Sequence, residues 1–204
     1  MAAAAILYFF AYKQWADKNN APVISVPSGN FGNICAGILA GSSGLPVQHF
    51  IAACNVNDIV SDYLQTQALK PKQAVPTLSN AMDVGNPSNF IRILEIFHHR
   101  FPELKNKLSS YTITDKETAD TISDVYQRYN YTLDPHGAVG YLALKRWLET
   151  HPHAKGFFLE TAHPVKFPDA VEQYTGRKID LPASVQGIMN SEKVSIKMQP
   201  EFEA

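Results

Sequence analysis

The sequence predicts an α/β fold, a three-layer domain with a parallel sheet between helices. Three observations carry this expectation. Val23 to Val26 (VISV) is a β-branched apolar run without alternation, the pattern of a parallel strand covered on both faces. A turn rich in Gly, Ser and Asn follows, then Ile34 to Ala40 as a helix and Phe50 to Ala53 as a second strand, which is a βαβ unit. Helical periodicity later gives way to another short apolar strand, Gly156 to Glu160 (GFFLE).

The remaining elements follow in order. Ala2 to Ala16 reads as a helix that ends in the polar stretch Asp17 to Asn20. The run Met1 to Phe10 is too short to span a bilayer and lacks the basic start of a secretion signal, so a buried helix is expected. Residues 55 to 89 read as loops with short helices. Phe90 to Arg100 is read as one amphipathic helix, with Ile91 and Leu94 on its apolar face. Thr114 to Tyr129 begins with a capping box, Thr114 and Glu117 answering each other's backbone N–H groups. Pro135 to Leu148 has proline in its first turn, and Phe167 to Tyr174 is closed by Gly176. No linker composition divides the chain. One α/β domain over residues 1–181 and a polar surface tail over 182–204 are expected.

With 45% hydrophobic residues among 204, a substantial core is available, and a net charge of −1 leaves no basic surplus for a nucleic-acid backbone. Cys35 and Cys54 lie in apolar stretches outside any CxxC pair, as small buried thiols in a reducing cytoplasm would. The histidine pairs His98/His99 and His151/His153 lack the convergent ligands of a metal site, and none is expected.

The chemistry is concentrated in Ser28-Gly29-Asn30-Phe31-Gly32-Asn33, which follows a strand and opens a helix. Two glycines would let the backbone take positive φ and approach a ligand closely. The N–H groups and the helix start form an anion site, with Ser28, Asn30 and Asn33 as side-chain donors. No lysine or arginine lies in the loop, so a phosphate monoester fits better than a triphosphate. GxxxxGK[ST] is absent, and Gly29, Gly32 and Gly37 do not meet the GxGxxG spacing.

The stretch Val26 to Asn33 resembles the phosphate loop of threonine synthases, which are pyridoxal 5'-phosphate (PLP) enzymes. Four further segments resemble that family's blocks in the same order: Ala52 to Asp58 (AACNVND), Leu78 to Val84 (LSNAMDV), Asp134 to Gly140 (DPHGAVG) and Thr161 to Phe167 (TAHPVKF). The resemblance runs from about the first helix to near Leu181. It implies an incomplete fold-type II domain, related to the tryptophan synthase β subunit and corresponding to the family's C-terminal portion. The implied reaction converts O-phospho-L-homoserine and water to L-threonine and phosphate. It implies that Ser28, Gly29, Asn30, Phe31, Gly32 and Asn33 surround the cofactor phosphate. Thr161 would hydrogen-bond the pyridine nitrogen, a neutral partner that cannot hold that nitrogen firmly protonated.

The family's Schiff-base lysine lies in a Phe-Lys-Asp stretch that this chain lacks, and Lys166 in HPVKF is not its equivalent. No catalytic residue is therefore expected within the chain. Turnover would require the N-terminal half of the enzyme as a partner. The alternatives are a non-catalytic phosphate-ligand binder, or an interaction module that self-associates through apolar surface. His136, beside Asp134, is a candidate for the substrate cleft or a structural histidine at a helix start. Asn80 and Asp83 are candidates for the same cleft or caps of a polar loop.

Overall fold

The computed structural model describes residues 2–189, 191–192 and 194–198. Its elements run α1 (Ala2–Gln14), β1 (Val23–Pro27), α2 (Gly32–Ser42), β2 (His49–Cys54), α3 (Ile59–Thr66), a 3₁₀ turn (Asn80–Met82), α4 (Phe90–Ile96), α5 (Phe101–Lys107) and β3 (Leu108–Thr112). They continue with α6 (Asp115–Tyr129), α7 (Pro135–Thr150), β4 (Gly156–Phe158), a 3₁₀ turn (Pro164–Lys166), α8 (Pro168–Thr175) and α9 (Ala183–Met189).

The strands form one parallel sheet in the order β3-β2-β1-β4. All five residues of β1 are buried, because helices cover both of its faces. Ile24, Val26, Phe50, Ala52 and Cys54 share one apolar cluster with residues of α1, α2 and α4. Val23, Ile51 and Ala53 meet Val139, Ala143, Leu144 and Trp147 of α7 on the other. This alternation along two neighbouring strands produces the three layers. Burying each Ile or Val contributes about 1.5–3 kcal/mol, so the sheet centre dominates stability. Both cysteines are free and buried, and burial pushes the Cys54 thiol up to about 11.

Two expectations change, and one strand is unforeseen. The N-terminal helix is not buried as a whole: Ala5 and Tyr8 are buried and Ala4 and Tyr12 pack against the core, while Leu7 is 67% and Phe10 58% exposed. A helix apolar on all sides against a single neighbouring layer must leave one side uncovered. The expected helix over 90–100 stops at Ile96, and His98 and His99 take left-handed φ values of 49° and 56°. Pro102 sits in the first turn of α5. Its ring would collide with the carbonyl four residues earlier if the helix were continuous. Ile91 faces solvent, and Phe90, Ile93 and Leu94 supply the buried face.

The unforeseen strand is β3, with the polar sequence LSSYT. Its serine hydroxyls are satisfied by tertiary partners: Ser109 meets His49 Nε2 at 2.6 Å, and Ser110 donates to the Ala52 carbonyl at 2.9 Å. The capping box at Thr114 and Glu117 is present as expected. Beyond Leu181 the chain forms α9, and Val194, Ile196 and Met198 are exposed. The tail expectation at positions 190, 193 and 199–204 lies outside the described residues.

Candidate functional site

The turn between β1 and α2 is held by its neighbours. Phe31 adopts φ 62°, ψ 12°, a left-handed conformation that costs a bulky residue on the order of 1–3 kcal/mol. Its ring offsets this by being 3% exposed and packing edge-on against Phe90, with centroids 5.6 Å apart. Gly29 is required by a close approach. A Cβ there would stand 2.5 Å from Met82 Cα and 3.1 Å from the Ala81 carbonyl oxygen. Neither Gly29 nor Gly32 has positive φ, so the expected role of these glycines in a left-handed turn passes to Phe31.

What the turn leaves open is its backbone. The N–H groups of residues 29 to 34 donate to no acceptor among the described residues, and the first helical bond is Cys35 N–H to the Phe31 carbonyl at 3.0 Å. Free N–H groups after a left-handed residue, at the positive end of a helix, favour an anion. Ser28 does not join them. Its N–H bonds the Ala53 carbonyl and its hydroxyl the Val26 carbonyl, both at 2.8 Å. The Asn30 amide oxygen accepts from Ser88 N–H at 2.7 Å and from the Ser88 hydroxyl at 3.0 Å. The Asn33 amide oxygen accepts from the Tyr8 hydroxyl at 2.9 Å. In each case the amide NH₂ has no protein partner among the described residues.

Asn33 and Thr161 line one cavity of about 380 Å³, together with Leu7, Tyr8, Leu159 and Glu160. No lysine lines it. Two positions 128 residues apart thus converge, because α2 starts above β1 and Thr161 follows the end of the adjacent strand β4. Burial pushes the Tyr8 phenol upward, so it stays a neutral donor. Tyr8 and Glu160 were absent from the sequence-derived site. For Glu160 the only available signal was its place beside Thr161.

The other candidates support this cavity from outside. Asp83 accepts from Thr77 N–H, the Thr77 hydroxyl, and the side-chain amides of Asn55 and Asn57, at 2.6 to 3.1 Å. Its oxygens tie the loop that presses Met82 onto Gly29. Asn80 is exposed in the 3₁₀ turn. His136 is 3% exposed. Its Nε2 accepts from Ala81 N–H at 3.2 Å, so Nδ1 carries the proton and donates to Asp134 at 2.7 Å. His163 caps its own 3₁₀ turn through Val165 N–H.

The parallel sheet flanked by helices, with an open N–H cradle at the carboxyl end of β1, defines an α/β domain of the fold-type II PLP class. Maize serine racemase superposes with a TM-score of 0.59 over 91% of this chain and 51% of that one, at 15% identity, a likeness of fold alone. A family profile described as "Threonine synthase, C-terminal" matches residues 137–204. Threonine synthase of Escherichia coli K12 is 42% identical over 198 residues, covering 97% of this chain and 45% of that protein. The PLP-bound crystal structure of threonine synthase from Brucella melitensis superposes with a TM-score of 0.87 at 32% identity, over 94% of this chain and 46% of that one. The E. coli crystal structure does so with 0.85 at 42% identity, over 92% and 43%. The chain belongs to the threonine synthase family as its C-terminal portion, and spans about 45% of the length of the curated relatives it matches.

Proposed function

We propose that this chain supplies the phosphate-holding and ring-facing part of a threonine synthase active site. The N–H groups of residues 29 to 34, with the free amides of Asn30 and Asn33, would hold the PLP phosphate. Thr161, across the cavity, would hydrogen-bond the pyridine nitrogen. When bound, PLP supplies an electron sink for conversion of O-phospho-L-homoserine and water to L-threonine and phosphate. Phe31 and Gly29 keep the cradle preformed. Tyr8 orients Asn33, and Leu7 and Leu159 give the cavity an apolar side.

The observation that carries this reading is the run of unengaged N–H donors opening beside a cavity that Asn33 and Thr161 share. The missing lysine and the 45% coverage of relatives support a second component. In this reading the rest of the enzyme covers the exposed apolar strip of α1 (Ile6, Leu7, Phe9 and Phe10), which borders the cavity. Association of two copies through this strip is the competing occupant, which light scattering distinguishes. A cytoplasmic enzyme fits the family, and among the described residues no helix is long and apolar enough to cross a membrane.

The test is competitive binding. Inorganic phosphate should displace PLP from the chain. Asn33→Ala should weaken both ligands about tenfold, equivalent to one hydrogen bond. Thr161→Ala should weaken PLP and leave phosphate unchanged. Neither ligand binding at millimolar concentration would remove the cofactor assignment. Phosphohomoserine should release phosphate only when the N-terminal portion of a relative is added.

A further inference from the structure

Glu160 stands between two cavities: the one shared by Asn33 and Thr161, and another of about 550 Å³ beside the 3₁₀ turn and the segment after α8. As a residue it is exposed, yet its carboxyl group is tucked inward against the start of α7. A Cβ on Gly137 would lie 1.9 Å from its Oε2. The glycine leaves room for this carboxyl beside the fully buried Asp134, whose Oδ2 accepts from the N–H of the same Gly137 at 3.4 Å.

Two carboxyl groups this close cannot both ionise, and the donors decide which holds the proton. Asp134 accepts from His136 N–H at 2.9 Å, His136 Nδ1–H at 2.7 Å and Gly137 N–H at 3.4 Å. Among the described residues Glu160 accepts only from the Tyr131 hydroxyl, at 3.4 Å. Glu160, with the fewer donors, is therefore the carboxyl of the two that holds the proton. Burial first, then the Asp134 charge, push the Glu160 carboxyl up to about 8.

We propose that Glu160 is a positioning residue, whose carboxyl group donates to Asp134 and so couples Thr161 to the loop that abuts the phosphate turn. The connection is continuous: Thr161 follows Glu160, Glu160 holds Asp134, Asp134 holds His136, and His136 accepts from Ala81, next to the Met82 that touches Gly29. The other titratable groups around Glu160 are Tyr8, Tyr126, His163 and, after α8, Arg177, Lys178 and Asp180. Among the described residues none of these bonds it. Losing the proton places two anions side by side and releases the strand end that carries Thr161.

The role of Thr161 toward PLP rests on the function proposed above; the carboxyl pair does not. The test is an NMR pH titration of the ligand-free chain, followed by PLP affinity at pH 6.5 and 9. The Glu160 carboxyl should titrate with a midpoint near 8, and the Ala81 and Thr161 amide resonances should move with it. Thermal stability relative to Glu160→Gln should fall as pH rises from the ordinary carboxyl value of 4.5 through about 8, and level off above it. Glu160→Gln keeps a donor toward Asp134 and should abolish these pH-dependent shifts. Gly137→Ala should push the carboxyl aside and return its midpoint toward the ordinary range.

PLP affinity should drop about tenfold between the two pH values in the parent chain and stay constant in Glu160→Gln. A Glu160 midpoint in the ordinary range, or Ala81 and Thr161 amides that ignore it, would overturn the proposal. Absence of PLP binding at both pH values would overturn the functional reading, while the ligand-free titration still decides the coupling.

Discussion

Two polar regions meet at Gly29 and differ in how completely their hydrogen bonds are closed. Around Asp83, carboxylate, amides and hydroxyls answer one another, and Asn55 and Asn57 are 1% and 8% exposed. Around residues 29 to 34, a run of backbone donors has no protein acceptor among the described residues, although Phe31 and Ile34 belong to the core. Closed networks fix architecture. Donors held rigid without a protein acceptor stay open to water or to an anion.

Substitutions across the boundary should separate the two, with stability and affinity changing in opposite order. The largest loss of stability is expected for Asp83→Ala, about 3 kcal/mol, because four hydrogen bonds are lost together and the Thr77 N–H is left without its acceptor; urea unfolding measures it. Gly29→Ala should cost about 1–3 kcal/mol, since the obstructing atoms belong to the Met82 backbone and cannot swing away. Asn33→Ala should cost about 1 kcal/mol through Tyr8, while weakening phosphate about tenfold as above. Thr161→Ala, at an exposed position, should lie within about 0.5 kcal/mol of the parent and show itself only in PLP titrations. Equal stability losses at Asp83 and Thr161 would erase the distinction.

The smallest effect lies away from both regions. The Thr114 backbone and hydroxyl, with the Arg146 guanidinium, hold the Glu117 carboxyl down at about 2. Its contribution is present above the ordinary carboxyl range and is lost as pH falls through about 2. Glu117→Gln should flatten that acid limb in a series of thermal melts. Exposure of 35% at Glu117 and 33% at Arg146, with salt screening, keeps the gain small.

Much of the fold was legible because it is local. The β-branched run at Val23, the capping box at Thr114 and the proline opening α7 each state an element within a few residues. The family blocks likewise marked Asn33 and Thr161. What escaped was nonlocal. β3 has a polar sequence and is a strand because β2 supplies its ladder and His49 and Ser61 meet its hydroxyls. The break after Ile96 needed Pro102 read against a carbonyl one turn back. The glycines of the phosphate turn were legible as indispensable, but for the wrong reason, since the left-handed residue is Phe31 and the constraint on Gly29 comes from Met82.

Residue pattern by itself determined the class of fold, the order of its main elements and the family to which the chain belongs, because periodicity, caps and contiguous motifs are short-range properties of a chain. Only the tertiary structure decided which donors remain open, that Asn33 and Thr161 share a cavity, and that Glu160 meets Asp134. Those facts depend on distances between groups far apart in sequence, and such distances exist only once the sheet has brought its strand ends together.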